Sequence, residues 1–395
     1  MIKSASIFTE ELDDSRVAID QLQKQLDEKL NLLSNSIGII MCDPEFIETG
    51  VYKEVCEAFP FPLVGSTTMS QGVNGESGML ILTIMVLTSD DVFFSAGHSK
   101  PIPNTIQDKM IYLATKDSYA EAAAKLPSAP KLAIIFPPLL SEVGGDRYVD
   151  AFHMLCPNVP VFGTLAIDDS LDFSGCASLF DGESDNESLS YVLLSGNVSP
   201  RFVVGTVSEN NTLPYAGEIT KSEAHIVYEI NDMPTSKYFE SIGLASNGQL
   251  NDGLSFVPML IDFKNKDDYD GVPVIRAMLY LDETGAGICR GYMYQNSTMS
   301  LSSPTKEDII FTSGGLVDKI NAMEDKQAVL IFSCMVRRMT LGTDALAEVT
   351  MIDEKYNSDV PYMLGYAGGE ICPTSISEGS ATNRFHNFSI IACIL

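Results

Sequence analysis

The sequence predicts an α/β protein with mixed sheets, in which repeated βαβ units carry added antiparallel hairpins and form two similar halves. Three observations support this fold class. Short apolar strands alternate with helical patterns, prolines recur at regular separations, and the composition is that of a globular protein. The 395 residues are 45% hydrophobic and 20% charged, and a chain of this length is expected to form two or three domains.

The first repeat begins with a helix. Leu22, Leu26 and Leu30 recur at the spacing of one helix face, and Asp14 stands in front of them as an N-cap. A βαβ unit follows, because two short apolar runs flank a second amphipathic pattern. Its predicted elements are a strand at 37–41, a helix at 51–59 and a strand at 62–65.

The same order of strand, helix and strand returns at residues 132–163, at 328–365 and, more weakly, at 226–261. Proline opens the second strand of each unit at positions 62, 160, 258 and 361, with separations of 98, 98 and 103 residues. Three of these strands continue into a glycine, namely Gly65, Gly163 and Gly365. Since ligands gather outside the carboxyl ends of parallel strands, the loops after these glycines are predicted to hold a site.

Apolar runs between the repeats predict antiparallel strands. These runs lie at residues 79–87, 92–96, 177–180, 189–195, 202–207, 275–281 and 288–294. Residues 282–287 have the composition of a hairpin connection between the last two. The polar stretch 208–212 predicts a boundary between an N-terminal domain, 1–208, and a C-terminal domain, 209–395.

The charge and the apolar pattern exclude several classes of partner. The chain has 25 basic and 53 acidic residues, a net charge of −28, which repels nucleic-acid phosphates and anionic lipid. The longest apolar run, 79–87, is too short to span a membrane. The N-terminus lacks the pattern of a signal peptide, so we expect a cytoplasmic protein.

Cysteine spacing and the remaining motifs indicate neither a metal nor a cofactor. The eight cysteines form no C-x-x-C pair and are expected to be reduced. The acidic run 262–271 fails as an EF-hand, because Lys266 and Ala277 stand where acidic ligands are needed. Phosphate-binding loops and the common hydrolase and zinc motifs are missing from the sequence.

An arginine pair follows the apolar strand 328–332. Arg337 and Arg338 could hold an anionic ligand through their planar guanidinium groups. The alternative is a salt bridge, for example to Glu348 or Glu370. Cys334, beside this pair, is either a buried structural residue or a nucleophile that needs a base.

The segments Ser333–Gly342, Gly365–Pro373 and Phe385–Ser389 resemble the C-terminal domain of the FIST family, named for F-box and intracellular signal transduction proteins. Residues 160–164, 203–205 and 228–234 resemble its N-terminal domain. The resemblance implies a sensory module that binds a small ligand, with amino acids proposed for the family, and that acts on a separate signalling output protein. It places the ligand-binding residues at Cys334, Arg337, Arg338, Gly365, Tyr366, Gly369, Glu370, His386 and Asn387.

The leading interpretation is therefore a cytoplasmic sensor for an amino acid or another small carboxylate. In it, the arginine pair holds the carboxylate and Glu370 holds the ammonium group. Two alternatives remain open. One is an enzyme with Cys334 as nucleophile and His386 as base, and the other is a scaffold whose acidic surface docks a protein partner.

Overall fold

The computed structural model describes residues 1–73, 75–107, 109–170, 172–207, 211–251, 257–263, 271–377 and 380–395. The chain forms three units of similar topology, and a further sheet is inserted into the third. The first unit consists of β1 (Lys3–Thr9), α1 (Ser15–Lys29), β2 (Asn35–Cys42), α2 (Glu45–Glu48), α3 (Val51–Ala58), β3 (Leu63–Thr67), β4 (Gln71–Val73), β5 (Glu76–Gly78) and β6 (Leu82–Ser89).

The second unit repeats this order. It consists of β7 (Val92–His98), α4 (Met110–Ala124), β8 (Leu132–Phe136), α5 (Asp146–Leu155), β9 (Val161–Thr164), β10 (Ser178–Phe180), β11 (Glu183–Asp185) and β12 (Ser190–Gly196).

The third unit begins with β13 (Arg201–Gly205), and the inserted sheet follows. The insertion contains β14 (Thr212–Glu223), β15 (Ile226–Ile230), β16 (Met233–Pro234), α6 (Thr235–Ser241), β17 (Ala245–Ser246), β18 (Gln249–Leu250), β19 (Val257–Asp262), β20 (Val274–Leu281), β21 (Gly287–Cys289) and β22 (Thr298–Ser302). The unit resumes with α7 (Lys306–Asn321), β23 (Val329–Cys334), α8 (Met335–Leu341), a short 3-10 turn, α9 (Ala347–Lys355), β24 (Tyr362–Ala367), β25 (Glu370–Ser377), β26 (Ser380–His386) and β27 (Ile390–Ile394).

Each unit has a parallel strand pair at its centre. The pairs are β2 with β3, β8 with β9 and β23 with β24, as the sequence predicts. The last strand of each unit, β6, β12 or β27, lies antiparallel beside the first strand of the pair. The α/β class with repeated βαβ units and added hairpins is confirmed. The sheet order groups the repeats as three units, and not as the two similar halves that the sequence predicts.

The hairpin that follows each parallel pair belongs to the sheet of another unit. Hairpin β4–β5 pairs with β24 of the third unit, β10–β11 with β3 of the first, and β25–β26 with β9 of the second. The sheets therefore run in the orders β1-β6-β2-β3-β10-β11, β7-β12-β8-β9-β25-β26 and β13-β27-β23-β24-β4-β5. This cyclic exchange joins all three units through backbone hydrogen bonds.

The three sheets share one core between their inner faces. Phe162 stacks on Phe332 with ring centroids 5.1 Å apart, and Phe136 contacts the same ring edge-on at 6.2 Å. Helices cover the outer faces, so strand residues alternate between two cores. In β2, Ile39 belongs to the shared core, whereas Ile40 packs beneath α1 and α3.

The predicted weaker repeat at 226–261 is wrong. β15 pairs antiparallel with β14, β16 and β21, and β19 pairs antiparallel with β20 and β22. These strands form the separate sheet β14-β22-β19-β20-β21-β15-β16. Two apolar runs that flank a helix are compatible with antiparallel strands as well as with a βαβ unit. Pro258 alone does not distinguish the two arrangements.

Several predicted boundaries shift. The run 79–87 begins in an exposed turn, with Met79 and Leu80 about half exposed, and its strand starts at Leu82. The run 288–294 ends as a strand at Cys289. Asp14 caps α1 as predicted, since its carboxylate accepts from the backbone N–H groups of Arg16 and Val17 at 3.0 and 3.3 Å.

A buried ion pair fastens the inserted sheet to the three-unit body. The guanidinium of Arg276 in β20 donates two hydrogen bonds to Asp146 at the start of α5, at 2.9 and 3.1 Å. It also donates to the carbonyl of Phe385 in β26 at 2.6 Å. The first residues of β20 are therefore held against both the second and the third unit.

The predicted division at 208/209 falls at residues 208–210, which lie outside the described residues, and it stays a prediction. Strands from both sides of that point share two of the sheets. Most of the acidic run 262–271, including Lys266, also lies outside the described residues.

Candidate functional site

A cavity of about 210 Å³ lies where the inserted sheet meets the second and third units. The inserted sheet contributes Ala277, Leu279, Tyr280 and Arg290; the third unit contributes Cys334, Met335, Val336, Gly368 and Asn387; the second unit contributes Leu139, Ile167 and Phe173. Most of these side chains are apolar. A small number of polar groups in an apolar cavity is the usual arrangement of a small-molecule site.

Arg290 is the charged residue in this lining. Among the described residues its guanidinium donates one hydrogen bond, from Nη1 to the carbonyl of Leu140 at 3.3 Å, and it forms no salt bridge. Burial lowers the pKa of Arg290 from its usual value, but an arginine stays protonated in proteins. A largely buried cation with spare donors at a cavity wall is suited to hold an anion.

Asn387 provides the second set of donors. It is buried between β26 and β27, where its backbone N–H donates to the carbonyl of Ile275 at 3.2 Å and its Oδ1 accepts from the N–H of Ala277 at 3.4 Å. These contacts fix the side chain against β20. Among the described residues, the Asn387 side-chain amide donates to no protein acceptor, so its N–H groups are available to a ligand.

Cys334, at the end of β23, reaches the same cavity but is only 1% exposed. Burial and the neighbouring Glu370 carboxyl raise the pKa of the Cys334 thiol well above its usual value. At neutral pH Cys334 is therefore a thiol and not a thiolate, which is the nucleophilic form.

Arg337 lies behind the cavity wall, in a buried ion pair with Glu348 of α9. Its Nη2 and Nε donate to one Glu348 oxygen at 2.7 and 3.1 Å. Nη2 also donates to the hydroxyl of Ser313 at 2.7 Å, and Ser333 donates to the other Glu348 oxygen at 2.7 Å. The salt bridge to Glu348 was one of the two roles that the sequence left open for this arginine.

Arg338 is 9% exposed, and its guanidinium lies over the ring of Tyr366, 6.0 Å from the centroid. Burial raises the pKa of Asp43 to about 8, and the charge of Arg338 is one of the influences that oppose this shift. Tyr366 is fully buried, and burial together with nearby Glu348 raises the pKa of its hydroxyl. Gly365 faces the side chain of Met41 across the shared core.

Glu370 is fully buried one layer behind Cys334. One of its oxygens accepts from the Ser389 hydroxyl at 2.6 Å and from the Ser389 N–H at 3.3 Å. Burial raises the pKa of Glu370 to about 8, with the Ser389 hydrogen bonds opposing that shift. The carboxyl is consequently mostly protonated at pH 7, which leaves little negative charge for a ligand's ammonium group.

His386 lies opposite Glu370 in the β25–β26 ladder, and its Nε2 is 3.3 Å from the carbonyl of Cys372. Gly369 has a φ of 154°, and an added Cβ would collide with the ring of Phe385 and approach Asn387 to 3.3 Å. A glycine is therefore required where β25 begins, directly beside the cavity residue Gly368.

Of the nine predicted residues, Cys334 and Asn387 line the cavity. Gly365, Tyr366, Gly369, Glu370, His386 and the two arginines are not among its lining residues. Sequence reasoning missed Arg290. The available signal was a single arginine in the apolar run Ile288–Tyr294, which was interpreted only as a strand.

Among the described residues, no group of three or more histidine, cysteine, aspartate or glutamate side chains could hold a metal ion. All eight cysteines are free and buried. None of the helices in the described ranges is long and apolar enough to cross a membrane.

Comparison with known proteins gives two family matches. Residues 36–233 match the FIST N domain, and residues 235–373 match the FIST C domain. No curated protein matches the sequence. Among solved structures, a cyanuric acid hydrolase from A. caulinodans aligns at 11% identity over 100% of this chain and 99% of that chain. Its TM-score of 0.35 is too low to support an argument.

Proposed function

Because this chain belongs to the FIST family, whose domains are sensory domains of signalling proteins, we propose that it senses a small carboxylate bound in the cavity beside Arg290. The observation that carries the proposal is the pairing of two donor groups in an apolar cavity. The Arg290 guanidinium lacks a carboxylate partner among the described residues, and the Asn387 amide lacks an acceptor there. A carboxylate would satisfy both.

The location of the cavity supports a sensory role. Its wall is shared by the inserted sheet and by two of the three units. A ligand that contacts all of these parts stabilises their docked arrangement by its binding free energy. We propose that a separate cytoplasmic output protein responds to this change.

In this proposal Arg290 holds the anion, whereas Arg337 and Arg338 stabilise the surrounding structure. We expect Arg290→Gln to weaken binding of a carboxylate ligand about 30-fold or more, since loss of a charged partner in a buried site costs about 2–5 kcal/mol. Calorimetric titration with isocaproate, hydrocinnamate, L-leucine and L-phenylalanine measures the effect. The fold should survive, because Arg290 makes one hydrogen bond through its guanidinium within the described protein.

Arg16→Gln provides the matched control, because it removes the same charge from an exposed position in α1. Its affinities should equal those of the unmodified protein. Equal affinities in Arg290→Gln and Arg16→Gln would contradict the proposed anchor, provided that both variants give unchanged melting curves.

The enzyme alternative with Cys334 and His386 is less well supported. A buried thiol with a raised pKa is a poor nucleophile. We expect native Cys334 to react with a maleimide far more slowly than the same residue in urea, and mass spectrometry of digested protein measures the labelled fraction. Rapid, stoichiometric labelling of Cys334 in the native state, with the other seven cysteines unreactive, would instead favour the enzyme.

A further inference from the structure

The charges around the cavity are unbalanced. Arg290 is a cation, and the other described residues of the lining include no aspartate or glutamate. The described lining therefore offers a charged partner to an anionic group of a ligand, and none to a cationic group.

Asp168 and Glu370 are buried carboxyl groups close in the chain to lining residues, and each already accepts hydrogen bonds from the protein. Asp168 accepts from the hydroxyl and N–H of Ser170 at 2.9 and 3.2 Å and from the N–H of Gly175 at 2.6 Å. Glu370 is fully buried behind Cys334 and accepts from Ser389. Neither carboxyl group reaches the lining of the cavity.

An α-amino acid would bring its ammonium group to within a few bonds of the carboxylate that Arg290 holds. That ammonium would lose water without gaining a counter-charge, and it would lie near the guanidinium. Burying an unpaired charge is strongly unfavourable. Removing the ammonium group eliminates this cost and leaves an apolar tail for Leu279, Met335 and Val336.

We infer that the ligand is a small monocarboxylate with an apolar tail and no ammonium group. This inference rests on the proposed function, because it concerns the same cavity. It differs from the amino-acid ligand that the family resemblance suggests, and it selects one class among the carboxylates that Arg290 could hold.

Two pairs of compounds that differ only in the α-ammonium group test the inference. They are isocaproate with L-leucine and hydrocinnamate with L-phenylalanine, titrated calorimetrically into the full chain. We expect the acid without the ammonium group to bind at least about tenfold more tightly in one pair or both. Isoamylamine, which keeps the tail of leucine and lacks its carboxylate, should not bind.

The outcomes separate this inference from the proposed function. If neither acid binds more tightly than its amino acid, while that binding is lost in Arg290→Gln and kept in Arg16→Gln, the inference is overturned and the carboxylate sensor stays intact. Absence of binding by all four carboxylates at millimolar concentration would contradict both. Binding of isoamylamine as tight as that of isocaproate would show that the tail alone is recognised, which also contradicts both.

Discussion

Replacing Arg337 by methionine is expected to lower the free energy of unfolding by about 3–5 kcal/mol, because the change leaves the Glu348 carboxylate buried without its cation. Both partners are 0% exposed. Ser313 and Ser333 would still donate to Glu348, but two neutral hydroxyl donors do not replace a guanidinium. Urea denaturation followed by circular dichroism measures the shift.

An exposed ion pair that also involves helix α9 serves as the control. Lys355 of α9 lies 2.7 Å from Asp318 of α7, with 39% and 64% of the side chains exposed. Lys355→Met should cost less than about 1 kcal/mol, since water and salt screen such a pair. Replacing Arg337 and Glu348 together by methionine and leucine should recover part of the loss. A similar small effect in Arg337→Met and Lys355→Met would refute the structural role of Arg337.

Arg337 and Arg290 show which features of the site the sequence could predict and which it could not. Arg337 directly follows a predicted strand, so it was noticed, and both of its possible roles were recognised. Whether Arg337 holds a ligand or forms a salt bridge depends on whether a carboxylate of the protein reaches it. Glu348 reaches it from a helix that begins ten residues later. Arg290 was overlooked because its proposed role depends on the lack of a carboxylate partner among the described residues, which a sequence pattern does not reveal.

The fold also has features that the sequence predicts and features that it does not. The parallel pairs were predictable because a proline opens each predicted second strand and a glycine closes it, as at Pro62 and Gly65. Where the glycine is replaced by Ile261, the βαβ prediction failed, and this absence was the available warning. The hairpin exchange was not predictable, since it pairs Gly72 with Leu364. Such a contact depends on how three sheets close around one core rather than on any local pattern.

Glycines in the second strands of the parallel pairs have the second large expected effect. Gly65, Gly163 and Gly365 lie opposite Ile40, Ile135 and Phe332 respectively. A Cβ added to Gly65 or Gly163 would overlap the carbonyl oxygen of the neighbouring strand. At Gly365 the added Cβ would instead overlap the end of the Met41 side chain.

We therefore expect Gly65→Ala and Gly163→Ala to destabilise the protein by about 3 kcal/mol or more, because relief requires the two strands to move apart. Gly365→Ala should cost about 1 kcal/mol, since a methionine side chain can change its rotamer. Thermal and urea melting of the three variants measure the order of the effects.

Combining Gly365→Ala with Met41→Ala tests the cause of the loss. The double change should cost less than the two single changes added together, because the smaller residue at 41 makes room for the new methyl group. Equal losses in all three alanine variants would mean that these positions need the backbone freedom of glycine. In that case, close packing between neighbouring strands and sheets would not be the reason for glycine there.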